Sequence, residues 1–276
     1  MTLSEAFNYG VYFLSSNGID EAEFKSLCLV CHLAGIKNSE YQLHKSDEII
    51  MKRFADLLWR VKSGEPLQYV IGKWDFYESE FFVGEGVLIP RPETEELTEL
   101  VIKKAKSLDN PVVLDLCSGS GCIGISIAKA VPTATVYCLE KSSEALFYLM
   151  KNADGIKNVR VVQGDIFLPA ELPVADIIVS NPPYIKSGDI EKLQPEVQRE
   201  PSLALDGGED GLDFYRAICE KWRSYLLLGG SVYFEIGDEQ GKYVHNILKE
   251  NNFSDVEIIK DMYGNDRIAT GTKSTD

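Results

Sequence analysis

Apolar positions recur at helical steps through the first quarter of the chain, then in strand-length runs separated by helical stretches. Leu3, Phe7, Val11 and Leu14 follow three- and four-residue steps, which predicts a helix stopped by Asn17-Gly18. Asp20-Glu-Ala-Glu23 has the form of a capping box and opens a second helix carrying Leu27, Val30 and Ala34. Ser46-Asp-Glu opens a longer one with Ile50, Phe54, Leu57, Leu58 and Val61 inward. These apolar residues are few for a core of their own, so residues 1–73 are expected to form a small helical domain. The pattern then changes. Phe76, Phe81, Phe82 and Val83, followed by Gly84-Glu-Gly86 and Val87-Leu-Ile89, predict a β-hairpin turning at the glycines, a linker over residues 74–92.

Residues 93–276 read as a second domain. After a helix carrying Leu97, Leu100 and Val101, strands are predicted at Val112–Leu116, Ala134–Leu139, Val159–Val162, Ile177–Ser180 and Ser231–Ile236, with helices at Ile123–Ala130, Ser142–Met150 and Tyr243–Lys249 between and after them. Late β-like runs fall at Val256–Ile259 and Ile268–Thr270. Such alternation predicts an α/β fold with a doubly wound, mostly parallel sheet, whose ligands bind at the carboxyl ends of the strands.

Chemistry is concentrated at those ends. Asp115-Leu-Cys117-Ser118-Gly119-Ser120-Gly121 follows the first strand and opens a helix. Its glycines allow a tight turn and close approach of the backbone to a ligand. A pyrophosphate would suit the helix N-terminus, but the Asp115 carboxylate repels phosphate and favours a cation such as an ammonium or sulfonium. Glu140 ends the next strand, where a carboxylate accepts hydrogen bonds from ribose hydroxyls. Asp165 and Ile166 end the third, placed to accept from an adenine amine and to pack on its ring. Asn181-Pro182-Pro183-Tyr184 ends the fourth. Two prolines cannot continue a ladder, so the chain leaves the sheet there as a stiff extended turn. The Asn181 carboxamide and the Pro182 carbonyl then make a pair of acceptors for a planar –NH2 group, with the Tyr184 ring beside it. Together these residues describe an S-adenosylmethionine site facing an amine or amide acceptor.

Composition narrows the classes. The chain has 276 residues and a formal net charge of −15, which disfavours bulk binding of DNA or RNA through phosphate neutralisation. Lys103-Lys104-Ala-Lys106 is the best local basic patch, and on a helix it reads as a solvated face. No apolar run reaches the roughly 18 residues of a membrane span, and the N-terminus lacks a basic signal-peptide region, so a cytoplasmic location is expected. The six cysteines then read as core thiols, Cys28-x-x-Cys31 included, and the scattered His32, His44 and His245 suggest no metal site. An NAD-dependent dehydrogenase has no use for Asp115 or for Asn181–Tyr184, and a non-catalytic binding module needs no intact Asn-Pro-Pro-Tyr.

With those residues in view, the chain resembles the HemK-type peptide-chain release factor glutamine N5-methyltransferases over nearly its whole length. Asn-Pro-Pro-Tyr alone is shared with methyltransferases acting on amino groups of nucleic-acid bases. More specific are Gly64-Glu-Pro-Leu-Gln-Tyr-Val-Ile-Gly72, Leu88-Ile-Pro-Arg-Pro-Glu-Thr-Glu95, Glu200-Pro-Ser-Leu-Ala-Leu-Asp-Gly-Gly208 and Gly264-Asn-Asp-Arg267. The resemblance implies a class I, Rossmann-like methyltransferase sheet, a substrate-recognition role for the helical domain, and class I release factors as the protein substrate. It implies cofactor contacts from Cys117 through Gly121, Glu140, Ile166 and Asn181, and a substrate glutamine held by Asn181 through Tyr184. The sequence departs from the family where Cys117 stands for a frequent Gly, Glu140 for a frequent Asp, and Ile166 for the aromatic of some relatives. The alternative within the same chemistry is an adenine-N6-type DNA or RNA amino-methyltransferase. Pro90-Arg-Pro92 suits either a lid or a rigid linker.

Overall fold

The computed structural model describes residues 1–274, which form two compact units. Residues 1–73 and Gln194–Arg199 make the first; Trp74–Leu193 and the chain from Glu200 onward make the second. The return of Gln194–Arg199 to the first unit has no apolar signature in the sequence. It is held by charge: the nearly buried Lys25 ammonium meets the Glu196 carboxylate at 2.6 Å, and the Arg199 guanidinium reaches the Ser63 carbonyl at 3.3 Å.

In the first unit, helix α1 (Leu3–Ser16) begins with a capping box made by Thr2 and Glu5. Its buried residues are Leu3, Ala6, Gly10 and Leu14, while Phe7 and Val11 are only half-buried. The stripe is rotated from the expected one because Gly10 is the point of closest approach. A Cβ there would lie 2.8 Å from the Phe54 ring. Helix α2 (Ala22–Ala34) has no capping box at Asp20–Glu23; Glu21 takes the N-cap position in a left-handed conformation with no side-chain cap. The helix expected from Ser46 starts only at α3 (Met51–Lys62), and Ile50 is 60% exposed. Backbone groups of Lys45, Asp47 and Ile49 instead pair with Ser4, Leu3 and Met1, which removes them from a helical ladder. Cys28 and Cys31 are buried, and burial pushes the Cys31 thiol up to about 11. The short α4 (Leu67–Ile71) follows.

Strands β1 (Lys73–Phe76) and β2 (Ser79–Phe82) form a hairpin, but it turns at Tyr77, φ 54°, and not at Gly84–Gly86. The glycines serve contact instead. A Cβ on Gly86 would lie 2.6 Å from the Glu144 Cβ, and one on Gly84 would strike the Tyr148 ring, so only a bare backbone passes there. Residues 87–89 consequently run as a loop and form no strand.

The rest of the second unit alternates as expected. In order come α5 (Pro92–Ala105), β3 (Val112–Leu116), α6 (Cys122–Ala130), β4 (Thr135–Glu140), α7 (Ser143–Ala153), β5 (Val159–Gln163) and β6 (Ala175–Ser180), then α8 (Asp213–Ala217), β7 (Leu226–Glu235), α9 (Gly241–Glu250), β8 (Phe253–Lys260) and β9 (Asp266–Lys273). The seven-stranded sheet has the order β5-β4-β3-β6-β7-β9-β8; β3 to β7 are parallel, and β9 runs antiparallel to both its neighbours. Apolar clusters cover both faces. Leu97, Val101, Ile125 and Leu149 belong to one, and Tyr215, Trp222, Val244 and Leu248 to the other. Strand order reverses between β3 and β6, and the crevice at that switch opens at their carboxyl ends.

Candidate active site

The turn after β3 is set by three left-handed residues: Cys117 (φ 60°), Gly119 (φ 56°) and Gly121 (φ 81°). For Cys117 that conformation is strained, and glycine, the frequent residue in the resembled family, would relieve it. The Ser118 hydroxyl donates to the Asp115 carbonyl at 2.7 Å, and Gly121 N–H closes the turn on the Ser118 carbonyl at 2.8 Å. Cys117, Ser118, Gly119 and Ser120 line a cavity at the sheet's carboxyl edge. Asp115 does not line it. Fully buried, it accepts Gly124 N–H through Oδ2 at 3.0 Å, while Oδ1 has no partner. Burial is the main reason its carboxyl is pushed up to about 7. Any influence on a ligand's charge therefore acts through space. Gly121 likewise shapes the turn without reaching the cavity.

At the end of β4, Glu140 is 9% exposed and faces the cavity. Its Oε2 accepts Gly119 N–H at 2.8 Å; Oε1 accepts Lys141 and Ser142 N–H at 2.8 and 2.7 Å. One carboxylate thus ties the glycine turn to the start of α7. Beyond β5, Asp165 is burdened by burial, but Phe167 N–H and the Lys141 ammonium at 2.9 Å outweigh it and lower its pKa. Asp165 thus already has partners and retains acceptor capacity only beside them. Ile166 is buried in the wall, and Trp222 donates to its carbonyl at 2.8 Å. The aromatic surface comes from the next residue. Phe167 and Phe214 meet edge to face, centroids 5.1 Å apart, and both line the cavity.

At the end of β6, the Ser180 hydroxyl donates to the Leu116 carbonyl at 2.6 Å, pinning β6 to β3. Asn181 and Pro183 line the cavity; Pro182 is buried and Tyr184 half-buried behind them. Gln240 holds the Tyr184 carbonyl at 2.9 Å, and burial raises the Tyr184 pKa above its ordinary value, so the phenol stays neutral. Asn181 Nδ2 donates to Thr94 Oγ1 at 3.1 Å, and the Thr94 hydroxyl donates to Glu235 Oε2 at 2.5 Å. Leu88, Pro90 and Arg91 close another side. Glu200, nearly buried, accepts Ile89 N–H at 3.0 Å and pairs with Arg91, so the Pro90-Arg91 segment is anchored.

The structure therefore brings Cys117–Ser120, Glu140, Asp165, Ile166, Asn181 and Pro183 around one cavity. Sequence reasoning assigned no site role to Glu235, Phe167 or Phe214, and marked Thr94 and Glu200 only as members of the Leu88–Glu95 and Glu200–Gly208 strings. The cavity is graded: backbone and hydroxyl groups at the β3 turn, a carboxylate at β4, and apolar and aromatic surface beyond β5.

Comparison with known proteins identifies the family of the chain. The family model of the PrmC N-terminal domain matches residues 5–72, and that of the methyltransferase small domain matches residues 91–198. A solved methyltransferase from Pyrococcus furiosus shares the fold with a TM-score of 0.52 at 18% identity, covering 82% of this chain and 100% of that one. A release factor glutamine methyltransferase of Thermodesulfovibrio yellowstonii is 42% identical over 255 residues, 89% of this chain and 91% of the relative. One of Geobacter sulfurreducens is 35% identical over 276 residues, 98% and 96% of the two chains. With relatives this similar along nearly all of its length, the chain belongs to the release factor glutamine methyltransferase family.

Proposed function

We propose that this protein transfers a methyl group from S-adenosylmethionine to the side-chain amide nitrogen, N5, of the glutamine in the Gly-Gly-Gln motif of class I peptide-chain release factors. The observation that carries the reading is the Asn181 carboxamide at the cavity's edge, its NH2 turned to Thr94 and its Oδ1 left to accept from a substrate amide.

The cavity's own chemistry fits S-adenosylmethionine. Ser118, Gly119 and the strained Cys117 turn suit the methionine portion. Glu140 would accept from the ribose hydroxyls, and Ile166, Phe167 and Phe214 would enclose the adenine, with Asp165 placed to accept from its amine. When bound, the group supplies a methyl that is already strongly electrophilic.

The protein's task is positioning. An amide nitrogen is a poor nucleophile because its lone pair is delocalised into the carbonyl. Asn181 Oδ1 and the Pro182 carbonyl would each accept one amide hydrogen, aim the nitrogen into the cavity and stabilise the positive charge that grows on it. Pro183 and Tyr184 would pack beside the amide plane and exclude water. No general base is required, because the alkylated nitrogen is acidic enough to release its proton to a carbonyl or to water. Gly-Gly-Gln fits such a site because the flanking glycines let one side chain enter without crowding. A short peptide orders itself at a cost, so folded release factor should be much the better substrate. Residues 1–73 are the natural second contact.

Replacing Asn181 with Ala should lower kcat by about 10²-fold or more while leaving cofactor affinity nearly unchanged, because this acceptor acts on charge that develops during transfer. The function itself is tested by mass spectrometry of a purified class I release factor, which should gain a single methyl on that glutamine. A Gln→Ala release factor and adenine-containing DNA serve as controls. Methylation of DNA with none of the release factor would replace this reading with the nucleic-acid alternative, against which the net charge of −15 already weighs.

A further inference from the structure

The proposed chemistry needs the Asn181 amide oxygen, and not its nitrogen, turned toward the substrate. A carboxamide rotated by half a turn has nearly the same shape, so packing alone does not choose between the two. Hydrogen-bond polarity does. Thr94 Oγ1 lies 2.5 Å from Glu235 Oε2 and 3.1 Å from Asn181 Nδ2. A threonine hydroxyl has one hydrogen to give, and a carboxylate is the stronger claimant. Once that hydrogen is committed to Glu235, Thr94 offers Asn181 only lone pairs. Asn181 must then present its NH2, and Oδ1 faces the cavity.

We propose that Thr94 and Glu235 form a polarity relay that fixes the rotation of the Asn181 carboxamide, making both of them positioning residues for methyl transfer. The inference rests on the role proposed above for Asn181. The two residues are otherwise hard to account for. Glu235 is 1% exposed and Thr94 2%, and burying a carboxylate so completely is costly unless it does something an apolar residue could not. Their meeting is built by the fold. Glu235 ends β7, the strand beside β6, which Asn181 follows, and Thr94 lies in the first turn of α5, which packs on both strands.

The relay works only while Glu235 is ionised. A protonated Glu235 would donate into Thr94 Oγ1, and the freed threonine hydrogen would favour the opposite amide orientation. Burial chiefly pushes this carboxyl up to about 7, and Glu93 adds to it; Thr94, Arg267 and Arg91 pull the other way. Tyr184, Tyr215 and Cys122 also lie within its field, and burial raises the pKa of each, which keeps them uncharged at neutral pH. Activity at saturating substrates should therefore fall on the acid side of neutrality.

The test compares full-length wild type, T94V, T94S, E235Q and N181A with a purified class I release factor, measuring kcat, KM and S-adenosylmethionine affinity from pH 6 to 8.5. T94V keeps the shape without the hydroxyl and should lose about 10- to 100-fold in kcat, with KM and cofactor affinity within about threefold of wild type. T94S restores the hydroxyl and should recover most of that loss. In E235Q the glutamine carbonyl still accepts from Thr94 but no longer titrates, so the acid-side fall should vanish. Wild-type kcat in T94V, equal losses in T94S and T94V, or an unchanged acid limb in E235Q would each overturn the relay. Should T94V fail to fold, the E235Q pH profile decides alone. Normal turnover by N181A would instead remove the role of Asn181 on which the relay rests; a defective N181A beside an unimpaired T94V removes the relay only.

Discussion

Glu140 shows how one side chain can do two jobs at a strand end. Its carboxylate is proposed to take the ribose hydroxyls, yet it also holds three backbone N–H groups, from Gly119, Lys141 and Ser142. Glu140→Ala should weaken S-adenosylmethionine binding by roughly 1.5–3 kcal/mol or more, the scale of a hydrogen bond to a charged acceptor, and should lower thermal stability as well. Unchanged affinity by calorimetry would remove it from the ribose role. Phe167 makes the contrasting case. It is 36% exposed and touches Phe214 edge on, so its loss disturbs little of the core. Phe167→Ala should weaken cofactor binding by about 0.5–1.5 kcal/mol, the worth of an aromatic contact, with the melting temperature nearly constant. Equal affinity for wild type and variant would place the adenine elsewhere.

At the scale of elements, helix α6 is tuned to lie unusually close to the sheet. Gly124 sits in its first turn, and a Cβ there would come 2.8 Å from Asp115 Oδ2 and 2.5 Å from Cys138 Sγ. Alanine is the better helix former by roughly 1 kcal/mol, but overpacking against β3 and β4 costs about 1–3 kcal/mol and should win. Gly124→Ala should thus lower the urea midpoint, and the displaced helix should drag the glycine turn and weaken cofactor binding. A stabilised variant with normal affinity would show that the helix has room to spare.

For the molecule as a whole, two carboxyls in the fully buried layer set an unusual pH dependence. Burial chiefly pushes Asp115 and Glu235 up to about 7, above their ordinary range near 4. Both are protonated in folded and unfolded chains at strongly acid pH. As pH rises from about 4 to 7, the unfolded chain releases these protons while the folded one keeps them, so stability falls. Asp165 and Asp261, with lowered pKa values, act in the opposite sense, but only near pH 4 and below. The urea midpoint of the ligand-free protein should therefore be higher at pH 5.5 than at pH 8, and Asp115→Asn should flatten the difference. A midpoint that climbs over that interval would mean that neither carboxyl is held as a neutral acid. If Glu235 must ionise for activity, the active form is the less stable one.

Chemistry written in consecutive residues was legible without coordinates. The glycine turn from Cys117 to Gly121, Glu140 at a strand end and Asn181–Tyr184 after an apolar run each carry their meaning locally, because a parallel sheet brings strand ends to one edge whatever the details of packing. Strand and helix periods were equally plain in the second unit, where burial on both faces leaves continuous apolar runs. Local pattern misled where long-range contact set the outcome. The glycines at 84 and 86 read as a turn but serve close passage beside α7, and the helix expected from Ser46 lost its backbone partners to the N-terminus. The partners of the key side chains were not legible at all. Thr94 and Glu235 stand 141 residues apart, and Phe214 lies in a stretch with no clear period, ahead of β7. Sequence alone determined which groups the strand ends would carry, since those groups and the strands they follow are neighbours along the chain. Only the tertiary structure decided which way Asn181 faces, because its orientation depends on a hydroxyl and a carboxylate that the adjacency of β6 and β7 beneath α5 brings within hydrogen-bond reach.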